Sequence, residues 1–333
     1  MPETINLQHG SGGEKQTELL NNLIFKILDN KILNQKHDGA FLNLSGKLAF
    51  STDSFVVSPI FFKGGNIGEL AVNGTVNDVA MCGAEPKFLS LAFIIEEGFP
   101  LEDFEKIIQS IKTASENAGV KIVTGDTKVV ERGKGDKIYI NTSGIGEIFE
   151  NSKIGIQHIK PKQAIVLNAG IAAHGMAIMS EREGLKFDSE ILSDTKNLNF
   201  EVKELIQNFG EKISFLRDAT RGGLASVLNE ISSESRFGIE IFEEKIFVET
   251  QVKSACELLG LDPMYVANEG VFLCVCDEDI AENVLEILKT ENSKAEKIGF
   301  VTEEHSGKVI MQSAFGGKRV VNPLIGEQLP RIC

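Results

Sequence analysis

The chain has no long hydrophobic run, no surplus of basic charge and no closely spaced cysteine pair, and each lack removes a class of function. Its longest apolar stretches, such as LSLAFII, fall far short of the ~20 residues a membrane helix requires. The opening MPETINLQHG lacks the apolar core of a signal peptide, so a cytoplasmic protein is expected. Lys and Arg number 34 against 48 Asp and Glu, a net charge of −14, which argues against bulk binding of nucleic acid or anionic membrane. Any phosphate must then be held by local devices: backbone N–H groups, a metal ion or single cations. The five cysteines (82, 256, 274, 276 and 333) include no CxxC, and an odd count in a reducing compartment leaves at least one thiol unpaired. Cys274 and Cys276 in GVFLCVC read as small strand residues, their sulfurs expected on opposite faces and so poorly placed for zinc. Two common phosphate motifs are also missing. AFGGKRV lacks the spacing and the hydroxyl of a P-loop, and GIGEIF carries Phe149 where a dinucleotide fingerprint needs its last glycine.

What is present is alternation of strands and helices over 333 residues, more than one ordinary core holds, so two domains are expected. KLAFSTDSFVV reads as a strand, NIGELAVNGTVNDVAMCGA as a helix closed by Gly83, and FLSLAFIIEEG as a buried strand. Leu101, Phe104, Ile107, Ile108 and Ile111 repeat at helical spacing up to a stop at Gly119. VKIVTGDTKVV reads as a strand broken at Gly125–Asp126, and DKIYINTSGIGEI as another strand. The polar segment around 150–162 marks a boundary between residues 1–150 and 151–318, and residues 319–333 are expected to be a flexible tail. In the second half, QAIVLNAG reads as a strand and IAAHGMAIMSERE as a helix. FLRDATRGGLASVLNEISSES reads as strand, turn and helix, with further helices near 251–259 and 280–290 and strands near 271–276 and 296–311.

Four acidic residues sit where elements end: Asp53 in STDS, Asp78 in VNDVA, Asp126 in TGDTK and Asp218 in RDATRGG. One such Asp is a turn or cap residue by default. Four together suit Mg²⁺, which takes oxygen ligands and bridges carboxylates to substrate phosphates. QHGSGGEKQ, a glycine-rich stretch before a helix-forming segment, offers N–H groups and a helix N-terminus to an anion, although a flexible leader would read the same way.

These segments, together with ANEG and the terminal PRIC, resemble the hydrogenase-maturation carbamoyl dehydratases of the aminoimidazole ribonucleotide synthetase (PurM-like) superfamily, and the resemblance spans essentially the whole chain. Asn73, where a Cys is usual, is the one local difference. The resemblance implies an α+β, two-domain PurM-like fold. An N-terminal sheet forms a barrel with its twin in a homodimer, and a C-terminal α/β domain and an extended tail follow. It implies ATP-dependent dehydration of a carbamoyl group carried on Cys333, giving a thiocyanate whose cyanide passes to the iron of [NiFe]-hydrogenase. A HypF-like carbamoyltransferase and an iron-carrying HypC–HypD-like complex would be the partners. Cys333, Lys128 and Glu269 are then the catalytic candidates, and Asp53, Asp78, Asp126 and Asp218 the Mg²⁺ candidates. ATP would be held by His9, Gly10, Gly12, Gly13, Thr52, Asn77, Gly125, Asp126, Thr220 and Gly222.

A terminal thiol serves this scheme as a swinging arm. From Arg319 the tail could span roughly 45 Å at about 3.3 Å per residue, stiffened by Pro323 and Pro330. Selenophosphate synthetase is a rival within the superfamily but wants a Cys or selenocysteine near the glycine-rich loop, where residues 1–30 have none. Thiamine-monophosphate kinase has no use for a terminal Cys. A non-catalytic carrier that uses ATP as a switch would show the same carboxylates.

Overall fold

A computed structural model describes residues 3–185, 190–326, 329 and 331–333. The first half is a four-stranded sheet of β1 (Leu48–Phe55), β2 (Ala84–Glu96), β3 (Lys121–Val130) and β4 (Ile138–Ile148) in the order β1-β4-β2-β3. Only β2 and β3 run parallel, with Ala92 opposite Asp126. A short helix α1 (Glu14–Leu19) precedes it, and α2 (Ile67–Met81) and α3 (Leu101–Ala118) cover one face. Alternation along β1 buries Ala49 and Phe55 against that layer and leaves Leu48 and Phe50 in solvent, Phe50 at 69% exposure.

Helix α2 is buried almost all round, as its apolar, small-residue sequence dictates. The Asn66 side chain caps it by accepting from the Gly68 and Glu69 amides. Its far end enters a second core: Ala80 and Met81 pack with Leu198, Leu205, Leu216 and Phe272 of the second half. Helix α3 has the expected apolar stripe and stops at Gly119, in left-handed backbone at φ 70°.

The second half is a seven-stranded mixed sheet in the order β11-β10-β7-β9-β5-β8-β6. Its strands are β5 (Ala164–Leu167), β6 (Ile213–Asp218), β7 (Gly238–Phe242), β8 (Phe272–Cys276), β9 (Glu296–Thr302), β10 (Val309–Gln312) and β11 (Lys318–Val321). Helices α4 (Ala173–Arg182), α5 (Asn199–Phe209), α6 (Gly223–Ser235), α7 (Thr250–Leu259) and α8 (Ala281–Glu291) complete it. Among the described residues no helix is long and apolar enough to cross a membrane.

Several readings differ from the sequence expectation. Strand β3 runs unbroken through Gly125–Asp126, because Gly125 lets the backbone lie where a Cβ would sit 2.1 Å from the Leu91 carbonyl oxygen. The stretch 296–311 is two strands, and α5 and β7 had not been anticipated. Strand β11 takes 318–321 into the sheet, so the segment outside both sheets begins after Val321. Cys274 and Cys276 share a face with Phe272, while Leu273 and Val275 face the other core, because alternate strand residues point the same way. The hydrogen bond that the Cys274 thiol donates to Cys276, followed by burial, pushes that thiol well above its ordinary range. Pro330 lies outside the described residues.

Candidate active site

The seam between the two sheets opens into a cleft of about 610 Å³. Strand β1 contributes Asp53 and Ser51, helix α2 contributes Gly74 and Asp78, and the end of β6 contributes Arg217 and Asp218. Thr220 and Arg221 line it from the turn before α6, which Gly222 starts in left-handed backbone (φ 73°); Glu269 comes from the loop before β8. Ser51 Oγ donates to Asp78 at 2.7 Å, and the Ser54 amide donates to Asp53 at 2.7 Å.

The carboxylates crowd one another. Burial, then the charge of Asp78, pushes Asp218 up to about 7 against the pull of Arg217. Burial, then Asp218 and Asp194, raises Glu269 well above the carboxylate range. Asp53 and Asp78 are raised chiefly by burial, with Arg221 opposing. Such a site holds excess negative charge that a cation would relieve. Among the described residues no three His, Cys, Asp or Glu side chains form a ready metal cage. The donor set nevertheless fits Mg²⁺, which usually takes one or two carboxylates and completes its shell with water and substrate phosphates.

The C-terminus ends in this cleft. The Val56 amide donates to the Cys333 carbonyl at 3.0 Å, and the Ser58 amide to the Arg331 carbonyl at 3.2 Å. Arg331 donates back to the Val56 carbonyl at 2.9 Å and to Asp136 at 2.6 Å. Arg182 donates to the carbonyls of both Ser58 and Arg331. Ile332, 4% exposed, joins the first core with Ile178 and Ala267. The Cys333 thiol thus lines the cleft with Glu269, Asp53, Asp218 and Arg221, and burial pushes it up to about 12. The expected swinging arm is here in its inward, docked position.

A second group of expected residues lies at the opposite edge of the first sheet. Asp126 and Lys128 pair at 2.8 Å on β3 and are exposed. The glycine-rich segment packs beside them: a Cβ on Gly10 would meet the Val129 nitrogen at 2.5 Å, and Gln16 reaches the Thr127 carbonyl at 3.4 Å and accepts from the Gly12 amide. His9 Nδ1 accepts from the Asn6 amide at 3.0 Å, closing a local capping box. Within one chain, then, Asp126, Lys128, His9, Gly10, Gly12 and Gly13 are not among the residues lining the cleft that holds Cys333.

Two of the expected residues are engaged in hydrogen bonds within the protein. Asn77 does not face the cleft: its amide donates to the Lys196 and Glu269 carbonyls at 3.0 and 3.3 Å and accepts from the Leu198 amide at 2.8 Å, so it ties α2 to the second half. Thr52 touches the cleft rim, but its hydroxyl donates to the Thr142 carbonyl at 3.1 Å. Sequence reasoning missed Arg217, Asp194 and the cleft position of Cys82. His174 and Arg221 lie in segments quoted above, but no role was expected of either. The one local signal was Arg221 beside the left-handed Gly222.

Known proteins with this arrangement are AIR synthase related. Residues 36–148 match the AIR synthase related protein N-terminal domain, and residues 160–312 its C-terminal domain. The carbamoyl dehydratase HypE of Rhizobium leguminosarum bv. viciae is 47% identical, covering 99% of this chain and 95% of that protein. A crystal structure of hydrogenase maturation protein HypE in complex with ATP is 45% identical with a TM-score of 0.96, covering 99% of this chain and all of that one. The HypE–HypF complex aligns at a TM-score of 0.81 and 48% identity, over 92% of this chain and 99% of that one. The chain belongs to the HypE carbamoyl dehydratase family.

Proposed function

We propose that this chain dehydrates a carbamoyl group on its own Cys333, using ATP, and so supplies cyanide for the iron of [NiFe]-hydrogenase. The observation that carries the reading is the terminal thiol docked in an acidic cleft beside Glu269. The balanced step turns S–C(O)NH₂ and ATP into S–C≡N, ADP and phosphate. The amide oxygen takes the γ-phosphoryl group and leaves as phosphate, while the nitrogen loses both protons. Glu269 is the base for a proton at that nitrogen. Its raised pKa makes it a strong base once ionised, and added positive charge in the cleft favours ionisation. Arg221 and Arg217 are the cations that face developing phosphate charge. Asp53, Asp78 and Asp218 would hold Mg²⁺, which when bound would neutralise the triphosphate.

The remaining expected residues enter through a homodimer. Strands β1 and β3 are the two edges of the first sheet, and its outer face leaves Leu48, Phe50 and Ile94 exposed. Pairing two such sheets about a two-fold axis covers these side chains and closes the edges. A second copy then brings Asp126, Lys128, His9 and the glycines Gly10, Gly12, Gly13 and Gly125 toward this chain's cleft, where Thr220 and Gly222 also serve ATP. Lys128 neutralises phosphate in this arrangement. A HypF-like transferase loads the tail, and a HypC–HypD-like iron complex takes the cyanide.

The test is mass spectrometry of the peptide after Glu327, from protein carbamoylated at Cys333 and then given Mg-ATP. Loss of one water is expected. No change would leave a carrier that uses ATP as a switch.

A further inference from the structure

The docked tail is bonded by more than the backbone of residues 56–58. His174 is fully buried on α4, and its Nε2 lies 2.8 Å from the Ile332 carbonyl oxygen. A carbonyl only accepts, so Nε2 carries the proton, and Nδ1 accepts from Ser193 Oγ at 2.8 Å. Ser193 Oγ in turn accepts from the Thr195 amide at 3.1 Å. The next residue along, Asp194, accepts from the Glu269 amide at 3.1 Å, and its other carboxyl oxygen is buried without a partner. Gly270 lies so close to the Asp194 carbonyl that a Cβ there would sit 2.0 Å from it. Asn73 and Asn77 fix the following residues to α2, through the Thr195 hydroxyl at 3.5 Å and the Lys196 carbonyl at 3.0 Å.

One short segment therefore touches both the tail, through His174, and the loop that carries Glu269. We propose that residues 193–194 are a tail-sensing strap: His174 and Ser193 bond the tail when it docks, and Asp194 holds the Glu269 loop in the position it has with the tail in place. These are positioning residues, since none of them is among the residues lining the cleft. The strap lets the base be set only when a tail is there to be dehydrated. A neutral imidazole suits this task, because burial lowers the His174 pKa to about 4 and so keeps Nδ1 an acceptor. That the bonded tail is a substrate rests on the proposed function; that it is bonded does not.

Two readouts separate these questions. The first is the rate at which iodoacetamide alkylates the unmodified Cys333 thiol, read on the peptide after Glu327. The second is the rate of water loss after Cys333 has been carbamoylated with cyanate and Mg-ATP added. His174→Ala removes one hydrogen bond and leaves a buried carbonyl unpaired, which should favour tail release about tenfold. Alkylation should then quicken about tenfold and dehydration slow by a similar factor, with the KM for ATP unmoved. His174→Gln, which keeps an N–H donor, should recover much of both. If His174→Ala folds poorly, Ser193→Ala, which deletes a single hydroxyl, carries the same test with smaller shifts in the same directions. Wild-type alkylation and dehydration in folded His174→Ala or Ser193→Ala would overturn the strap. Failure of the wild-type protein to lose water would instead count against the proposed function, with the alkylation rates still deciding whether the latch exists.

Discussion

Titrating the terminal thiol should reveal how strongly the cleft suppresses its ionisation. Burial is the main cause of the shift in Cys333, followed by the charge of Glu269; Asp53 and Asp218 add to it and Arg221 opposes it. The thiol moves from an ordinary 9.0 to about 12. Each pKa unit is tenfold in the ionised fraction, so three units leave about a thousandfold less thiolate at neutral pH, or about 4 kcal/mol between the two protonation states. The sign follows from linkage. The docked tail holds its proton more tightly than the free tail, so this contribution to docking is complete below pH 9 and is lost as pH rises toward 12.

The chemistry makes that suppression useful. A thiolate, not a thiol, attacks an activated carbamoyl group. Under the proposed function docked Cys333 is thus a poor acceptor, and loading is expected with the tail outside the cleft. The S-carbamoyl product is neutral, so it returns to the acidic cleft without the penalty that a thiolate meets. Iodoacetamide labelling of the peptide after Glu327, followed from pH 7 to 10, measures the effect against the urea-unfolded chain. The folded protein should react about a hundred- to a thousandfold more slowly and show no plateau near 9. Glu269→Gln should quicken labelling across this range and Arg221→Ala should slow it, because the first removes a charge that disfavours the thiolate and the second one that favours it. Equal rates and a shared midpoint near 9 in folded and unfolded protein would refute the cleft's control of the thiol.

Much of this site was legible in the sequence because its chemistry is written in short local words. Asp53, Asp78 and Asp218 stand at or near element ends and do converge, from β1, α2 and β6. Helix α3 and its Gly119 stop follow from periodicity and the left-handed cap. What the motifs leave open depends on long-range direction. Asn77 and Asp78 are neighbours on one helix, yet the helix turns one toward the 196–198 segment and the other into the cleft, a difference of facing that no motif states. Asp126 resembles the other three in context but lies on the far edge of the sheet, which strand order alone decides. Cys82 stands on the cleft wall because helix α2 ends there, a placement that its neighbours in sequence do not announce. The tail reads as irregular and extended, with nothing in its residues to say where it docks. Its docking rests on contacts to residues 56, 58, 174 and 182, all more than a hundred positions away, where no spacing rule reaches.

Asp53→Asn and Asp126→Asn should each abolish Mg-dependent ATP turnover in a folded protein. If the site forms between two copies, mixing the two inactive variants should restore about a quarter of the activity, because half the dimers are mixed and each rebuilds one site of two; no recovery would argue against the shared site. Glu269→Gln should still bind ATP but form thiocyanate a hundred- to ten-thousandfold more slowly, as is usual for loss of a general base, and a normal rate would pass the role to another group. Cys333→Ala should keep its fold and its ATP binding, because Ile332 is the tail residue buried in the core while Cys333 only packs against it, yet take up no label from carbamoyl phosphate with the transferase present. The sharper variant adds two residues after Cys333. The Cys333 carbonyl already accepts from Val56 at the cleft, so added residues must displace the thiol or fill the space beside Glu269. The extended protein should accept label at the tail but fail to dehydrate it, and normal dehydration would show that the chain need not end at this cysteine.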